Sequence, residues 1–199
     1  SGLGITSSSR NTILGSNNAD MLDGNDNISI GYNTFNSSTT GEKNIVIGNQ
    51  GGLANSASNA IVIGYGAGNT NIADEFVSIG FQSGAMNSGA HNSIIGAYAS
   101  GNSCASKTGS GNTIFGYQAG YNTAAASNNV LIGDGVGFNT TSGSRNVMIG
   151  SGDVVATGSS ITTGNDNILI GSNAACNSNA SDNIIIGSNA ATAITTSQR

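Results

Sequence analysis

Few residues in this chain are of types that do chemistry at neutral pH, and their spacing decides what they could do. His91 is the single histidine. A general base or a metal site needs partners that converge on it. His91 has Asn92 beside it and no convergent acid or thiol in view, so it reads as a surface turn residue. Asp20, Asp23 and Asp26 lie in the run Asn-Ala-Asp-Met-Leu-Asp-Gly-Asn-Asp at 18–26. That spacing is similar to a calcium-binding nonapeptide roll, but calcium there needs oxygen ligands that repeat. Here the run occurs once. Gly64-Tyr65-Gly66-Ala67-Gly68 lacks the strand–helix context and the acidic partner of a dinucleotide loop. Cys104 and Cys176 are too few for a disulfide framework. The expectation is no catalytic residue, no metal ligand and no cofactor: not an enzyme.

The elements that position these residues come from a repeat. The chain has 199 residues, 31 glycines, no proline, 8% charged residues and a net charge of -5. The basic residues Arg10, Lys43, Lys107, Arg145 and Arg199 are scattered. Nucleic-acid binding needs them clustered, so no nucleic-acid partner is expected. No secretory signal, lipidation motif or run of 18 apolar residues is present, so membrane insertion is not expected.

Apolar runs end on a glycine eleven times: Gly15, Gly31, Gly48, Gly64, Gly80, Gly96, Gly116, Gly133, Gly150, Gly171 and Gly187. The spacing is 16 or 17 residues, with two longer intervals of 20 and 21. A near-constant period over the whole chain marks a stacked array. The residues one and three before each glycine are mostly Ile or Val, with Leu14 and Phe115 among them, and they share one face of a strand. They are expected to line the coil interior. Asn stands four before the glycine in nine of the eleven coils, from Asn11 to Asn183. It is expected to form a corner and a ladder along the rod. Each glycine allows a positive φ or a tight approach after the strand. Small residues such as Ala67, Ala99, Ala119 and Ala174 follow, so a second short strand is expected close against the first.

The row two before the glycine points to the opposite face from its neighbours. It includes Ile13, Val46, Val62, Ile94, Ile114, Leu131, Met148, Leu169 and Ile185. A lone solenoid in water places polar residues on its outer face. An outward apolar stripe about 50 Å long would cover roughly 400–500 Å², near the largest apolar patch a monomer shows. These nine residues are therefore the expected homotrimer interface.

The two longer intervals predict projecting loops, where solenoids often bind. Ser103, Lys107 and Thr108 in the first, and Val155, Thr157 and Ile161 in the second, are the candidate receptor-binding residues. Tyr32, Tyr65, Phe81 and Tyr117 directly follow their glycines and could contact glycans or pack between chains. The thiols of Cys104 and Cys176 fall about four coils, roughly 19 Å, apart, too far to bridge. A polysaccharide lyase or hydrolase on this scaffold would need clustered charge in a groove. The charges are not expected to register between neighbouring coils.

Asn-Ile-Val-Ile-Gly at 44–48 and Asn-Ile-Ile-Ile-Gly-Ser-Asn-Ala-Ala at 183–191 resemble the head repeats of trimeric autotransporter adhesins. Asn-Thr-Ile-Phe-Gly-Tyr-Gln-Ala-Gly-Tyr-Asn at 112–122 also resembles repeats of phage and other viral fibre proteins. The likeness covers all eleven coils, although the coil here is about two residues longer than the adhesin unit. It implies an all-β, left-handed parallel β-roll that assembles as a trimer. The sequence thus predicts a parallel β-solenoid of about eleven coils over residues 1–199, a single domain and a fragment of a longer fibrous protein. Its expected work is extracellular attachment to a host or cell-surface receptor or glycan. The alternative is a viral or phage fibre component without a receptor site.

Overall fold

The computed structural model describes residues 8–18, 23–35, 40–52, 57–69, 73–101, 107–151, 157–159, 161–175 and 179–191. One three-residue strand precedes each anchor glycine. The strands are β1 Thr12–Leu14, β2 Ile28–Ile30, β3 Ile45–Ile47, β4 Ile61–Ile63, β5 Val77–Ile79 and β6 Ser93–Ile95. They continue as β7 Thr113–Phe115, β8 Val130–Ile132, β9 Val147–Ile149, β10 Ile168–Ile170 and β11 Ile184–Ile186. All eleven pair in parallel and in chain order, forming one sheet of a β-solenoid. Register follows the repeat, with Ile45 opposite Ile61, Val46 opposite Val62 and Ile47 opposite Ile63.

The wall facing this sheet is a stack of turns, not the second strand expected from the period. Among the described residues, the second and fourth positions after the glycine are left-handed, as at Gln50 and Gly52, Gln82 and Gly84, and Gln118 and Gly120. Two left-handed residues per turn curl the chain where a strand would extend it. Their amides are still satisfied between coils. Gln82 N donates to Tyr65 O at 2.9 Å, one coil back, and Gly84 N donates to Ala99 O at 2.9 Å, one coil on.

Inside and outside are the reverse of the sequence expectation. Val46, Val62, Leu131, Met148 and Leu169 have no solvent exposure; Ile94 and Ile114 have 1% and Ile185 has 8%. Ile13 is half-buried against the same core. The nine residues assigned to a trimer interface therefore form the interior of their own chain. The rows assigned to the interior face outward, with Leu14, Phe115 and Ile184 more than half exposed. The turn wall supplies the other half of the core. Ala67, Ala99, Ala119 and Ala174 are fully buried opposite the middle strand row, where only small side chains fit a coil this narrow.

Asparagine decides the facing. It stands two before the middle strand residue and so shares its side of the strand. Asn44, Asn112, Asn129 and Asn146 are buried. The left-handed corner falls one residue earlier, at Arg10, Asp26, Lys43, Glu75, His91 and Arg145 among others. Asn129 N donates to Asn112 Oδ1 at 3.0 Å, and Asn146 N to Asn129 Oδ1 at 2.9 Å. Most of the side-chain amides also reach a small residue of the next coil, as Asn129 Nδ2 does to Gly143 O at 3.0 Å. The expected ladder is present, and it runs inside the roll.

Breaks mark the core in two rows. Ala60 and Phe76 take the asparagine place and are buried, so the ladder ends where Ala60 N donates to Asn44 Oδ1 and resumes at Asn92. Ser78 replaces the apolar middle residue and donates to Ser83 O at 2.8 Å. The buried apolar side chains accordingly fall into two clusters on either side of this serine pair.

Candidate functional site

Three rows are carried on or beside the outward strand face. The face itself consists of the first and third residues of every strand. All are half-buried or exposed, and only Thr12, Ser93 and Thr113 are not apolar. Water on both sides of the sheet would favour alternation, and here both sides are apolar. This surface, not the middle row, is the unpartnered apolar stripe.

The left-handed corner residues border the face on one side. Parallel register stacks them about 4.8 Å apart. Opposite charges meet in this row, which corrects the expectation that charges do not register. Arg10 Nη2 donates to Asp26 Oδ2 at 2.8 Å. Arg145 donates from Nε to Asp166 Oδ1 at 2.7 Å and from Nη2 to Asp166 Oδ2 at 2.6 Å. The hydrogen bond from Arg145, with its charge, holds the Asp166 carboxyl below its ordinary value, and Arg10 does the same to Asp26. His91 also has a partner that its flanking sequence did not reveal: Nε2 lies 2.9 Å from Glu75 Oε2. The two line a shallow groove of about 310 Å³ with Phe76, Asn92 and Ser93. The arginine and aspartate charges, paired and exposed, offset one another, and the groove lining adds no further acid or base beside His91 and Glu75.

Aromatic rings border the face on the other side. Tyr65 stacks on Phe81 with centroids 5.4 Å apart and planes 11° apart. Phe81 meets Tyr98 edge-on at 5.1 Å, and Tyr98 meets Tyr117 at 6.2 Å. Tyr98 sits one position later than the others and was not singled out by the sequence. Its ring replaces the side chain missing at Ala97 and keeps the column continuous. Gln50, Asn69 and Gln82 line a small hollow beside Tyr65.

The candidate loop residues divide differently from expectation. Ser103, Val155, Cys104, Cys176 and Asp20 lie outside the described residues. Thr108 is exposed. Lys107, Thr157 and Ile161 are buried, a correction to their assignment as projecting contacts. Lys107 pairs in register with Asn87 of the preceding coil. Thr157 hydroxyl donates to Gly171 O, as Thr34 does to Gly48 O, and so occupies the inward turn position of its coil. Lys107 and Thr157 thus stand at repeat positions of their coils.

Among the described residues, no group of three His, Cys, Asp or Glu side chains is placed to hold a metal ion, and no helix is long and apolar enough to cross a membrane. No protein-family model, curated protein or solved structure matches the chain.

Proposed function

We propose that this chain is a homotrimeric fibrous attachment domain of a cell or virion surface. Three parallel rolls pack their strand faces around a common axis and turn the remaining walls toward a host or cell-surface receptor. The observation that carries this reading is the outward apolar face. It is about 50 Å long and roughly 10 Å wide, on the order of 500 Å² per chain. Water contact with such a strip is costly, at about 25 cal/mol per Å² of apolar area. A parallel bundle sets each coil beside the same coil of its neighbours, so one repeated contact is satisfied along the whole rod. Left-handed winding belongs to the same reading, through the likeness to adhesin-head repeats. The roll acts as a scaffold and partner surface, without catalysis or a cofactor.

Light scattering on the purified chain gives the test. The expected mass is three times the 19.6 kDa of one chain. A clean monomer at micromolar concentration overturns the trimer. Binding of the intact assembly to a glycan array or to cells tests attachment, and a trimer that binds neither would be a passive fibre component.

A further inference from the structure

We propose that the aromatic column of one chain fits the groove beside the strands of the next and so locks the bundle parallel and in register, an inference that rests on the assembly reading above and names its contact. Tyr65, Phe81, Tyr98 and Tyr117 stack on one another over four consecutive coils, with centroids 5.4, 5.1 and 6.2 Å apart. They form a ridge about 14 Å long, three coil steps of about 4.8 Å. Tyr65, Phe81 and Tyr117 keep 42–50% of their surface exposed. The ridge follows the strands in sequence, whereas the groove of about 310 Å³ precedes them, with Val77 and Ser93 in its lining and Glu75 and His91 on its corner side. Ridge and groove thus lie on opposite edges of the apolar strand face, at the same coils.

The two edges are matched in size. Ser93 and Thr113 open β6 and β7, and the large Tyr98 and Tyr117 follow those strands. Ile168 and Ile184 open β10 and β11, and only serines, Ser172 and Ser188, follow their glycines. Ile28 with Tyr32 and Ile61 with Tyr65 are large on both edges, so the match belongs to β6, β7, β10 and β11. A three-fold axis along the rods sets the opening edge of each chain beside the closing edge of its neighbour, with no shift along the rod. Tyr98 then meets the space left by Ser93, and Tyr117 the space left by Thr113. An antiparallel two-fold pair would set ridge against ridge and leave the groove unfilled. The groove also suits a phenol: Glu75 has carboxylate lone pairs beyond the one facing His91, and tyrosine brings an O–H donor. Area points the same way. A stable association buries about 800 Å² per partner, and the strand face supplies on the order of 500 Å² per chain. Ridge and groove add roughly 300 Å² on each edge, since each ring side chain carries about 200 Å² and stands about half exposed. Only with its edges does the face reach the size of a stable interface.

Light scattering of the full chain over a dilution series tests the fit. The wild type is expected at three times the mass of one chain. Ser93→Phe fills the groove from an exposed position, and Tyr98→Ala removes the ring that would enter it. Each should raise the concentration of half-dissociation by about tenfold or more, the effect of losing a central aromatic contact. In the double variant the new ring takes the place of the lost one, so most of the loss should be recovered. Circular dichroism on the same samples reports the fold separately from assembly. If Ser93→Phe unfolds the chain, Thr113→Phe with Tyr117→Ala repeats the cycle one coil on, again from an exposed position. A wild-type trimer whose variants dissociate no more readily, or whose double variant loses the sum of the single losses, overturns the fit and leaves the trimer standing. A wild-type monomer or dimer overturns both, since two chains cannot close a contact that joins unlike edges.

Discussion

Two constraints meet at Gly64. Its φ is +136°, a backbone region that side chains disfavour, and a Cβ there would lie 2.3 Å from the Gly80 carbonyl oxygen. The sequence anticipated a positive φ or a close approach at this row, and both are present. Gly64→Ala should therefore destabilise the chain by about 2–4 kcal/mol in a denaturant titration. Gly66 is a different case. Its φ is +62° and a Cβ would meet only the Gln82 side chain, at 3.4 Å. Asn already occupies the same position at Asn17, Asn33, Asn173 and Asn189. Gly66→Asn should change stability by less than about 1 kcal/mol. At Asp166 the carboxyl is held below its ordinary value, so its contribution to stability is present above that value and is lost as pH falls through the lowered one. Asp166→Asn should lower the melting temperature slightly at about pH 6 and not at all at about pH 2. The difference should shrink in about 0.5 M salt, because the pair is exposed and screened. A difference that persists at low pH would mean that Asp166 acts through something other than its charge.

The asparagine ladder and the turn wall define the element scale. Asn129 accepts from Asn146 N at 2.9 Å and donates to Gly143 O at 3.0 Å, with both partners in the next coil. Removing its amide leaves a buried N–H and a buried carbonyl without that partner. Asn129→Ala should cost about 2–5 kcal/mol, since each unmet buried group costs about 1–3 kcal/mol. Asn11 is only half-buried and has no predecessor in the described ladder, so Asn11→Ala should cost about half as much. Equal losses at the two sites would deny that burial sets the value of the ladder. Part of this element was visible beforehand, because the Asn row and its spacing stand in the sequence. A second row was missed. Seven before nearly every anchor stands a buried Gly or Ala, including Gly41, Ala57, Ala126, Gly143 and Gly164. Several of their carbonyls take the asparagine amides. The recurring small residue was the signal that pairs with Asn and places it inside.

For the molecule as a whole, inward and outward apolar rows make opposite predictions. Leu131 lies wholly within the roll, so Leu131→Ala should lower stability by about 2–5 kcal/mol and leave the assembly mass unchanged. Ile63 and Ile79 share the outward face of neighbouring strands. The double variant Ile63→Asp with Ile79→Asp should leave the circular dichroism spectrum of the roll intact while reducing the mass in light scattering to that of one chain. Carboxylates on this face are fully solvated in a monomer and desolvated in a bundle. If the double variant keeps the assembled mass, the strand face is not the contact. If it unfolds, the single variant Ile79→Asp gives the same readout under a milder load.

Period, parallel order and strand position were set by the sequence alone, because a stacked coil must repeat its turn chemistry and every strand must end where only glycine fits. The same local rules made the ladder and the tight glycine corner legible. Which apolar row faced inward was not. A strand such as Ile45-Val46-Ile47 is apolar on both sides, so alternation carries no information about direction. The tertiary structure decided it by volume and by hydrogen bonding. A coil closed by a turn wall has room for one strand row against the buried alanines, and the asparagine that shares that row's side must bond inside. The outward Ile and Val rows then inherit the apolar surface first assigned to Ile13, Val46 and their successors. The registered ion pairs of Arg10 with Asp26 and Arg145 with Asp166 likewise exist only once residues 16 or 21 apart in sequence are brought side by side.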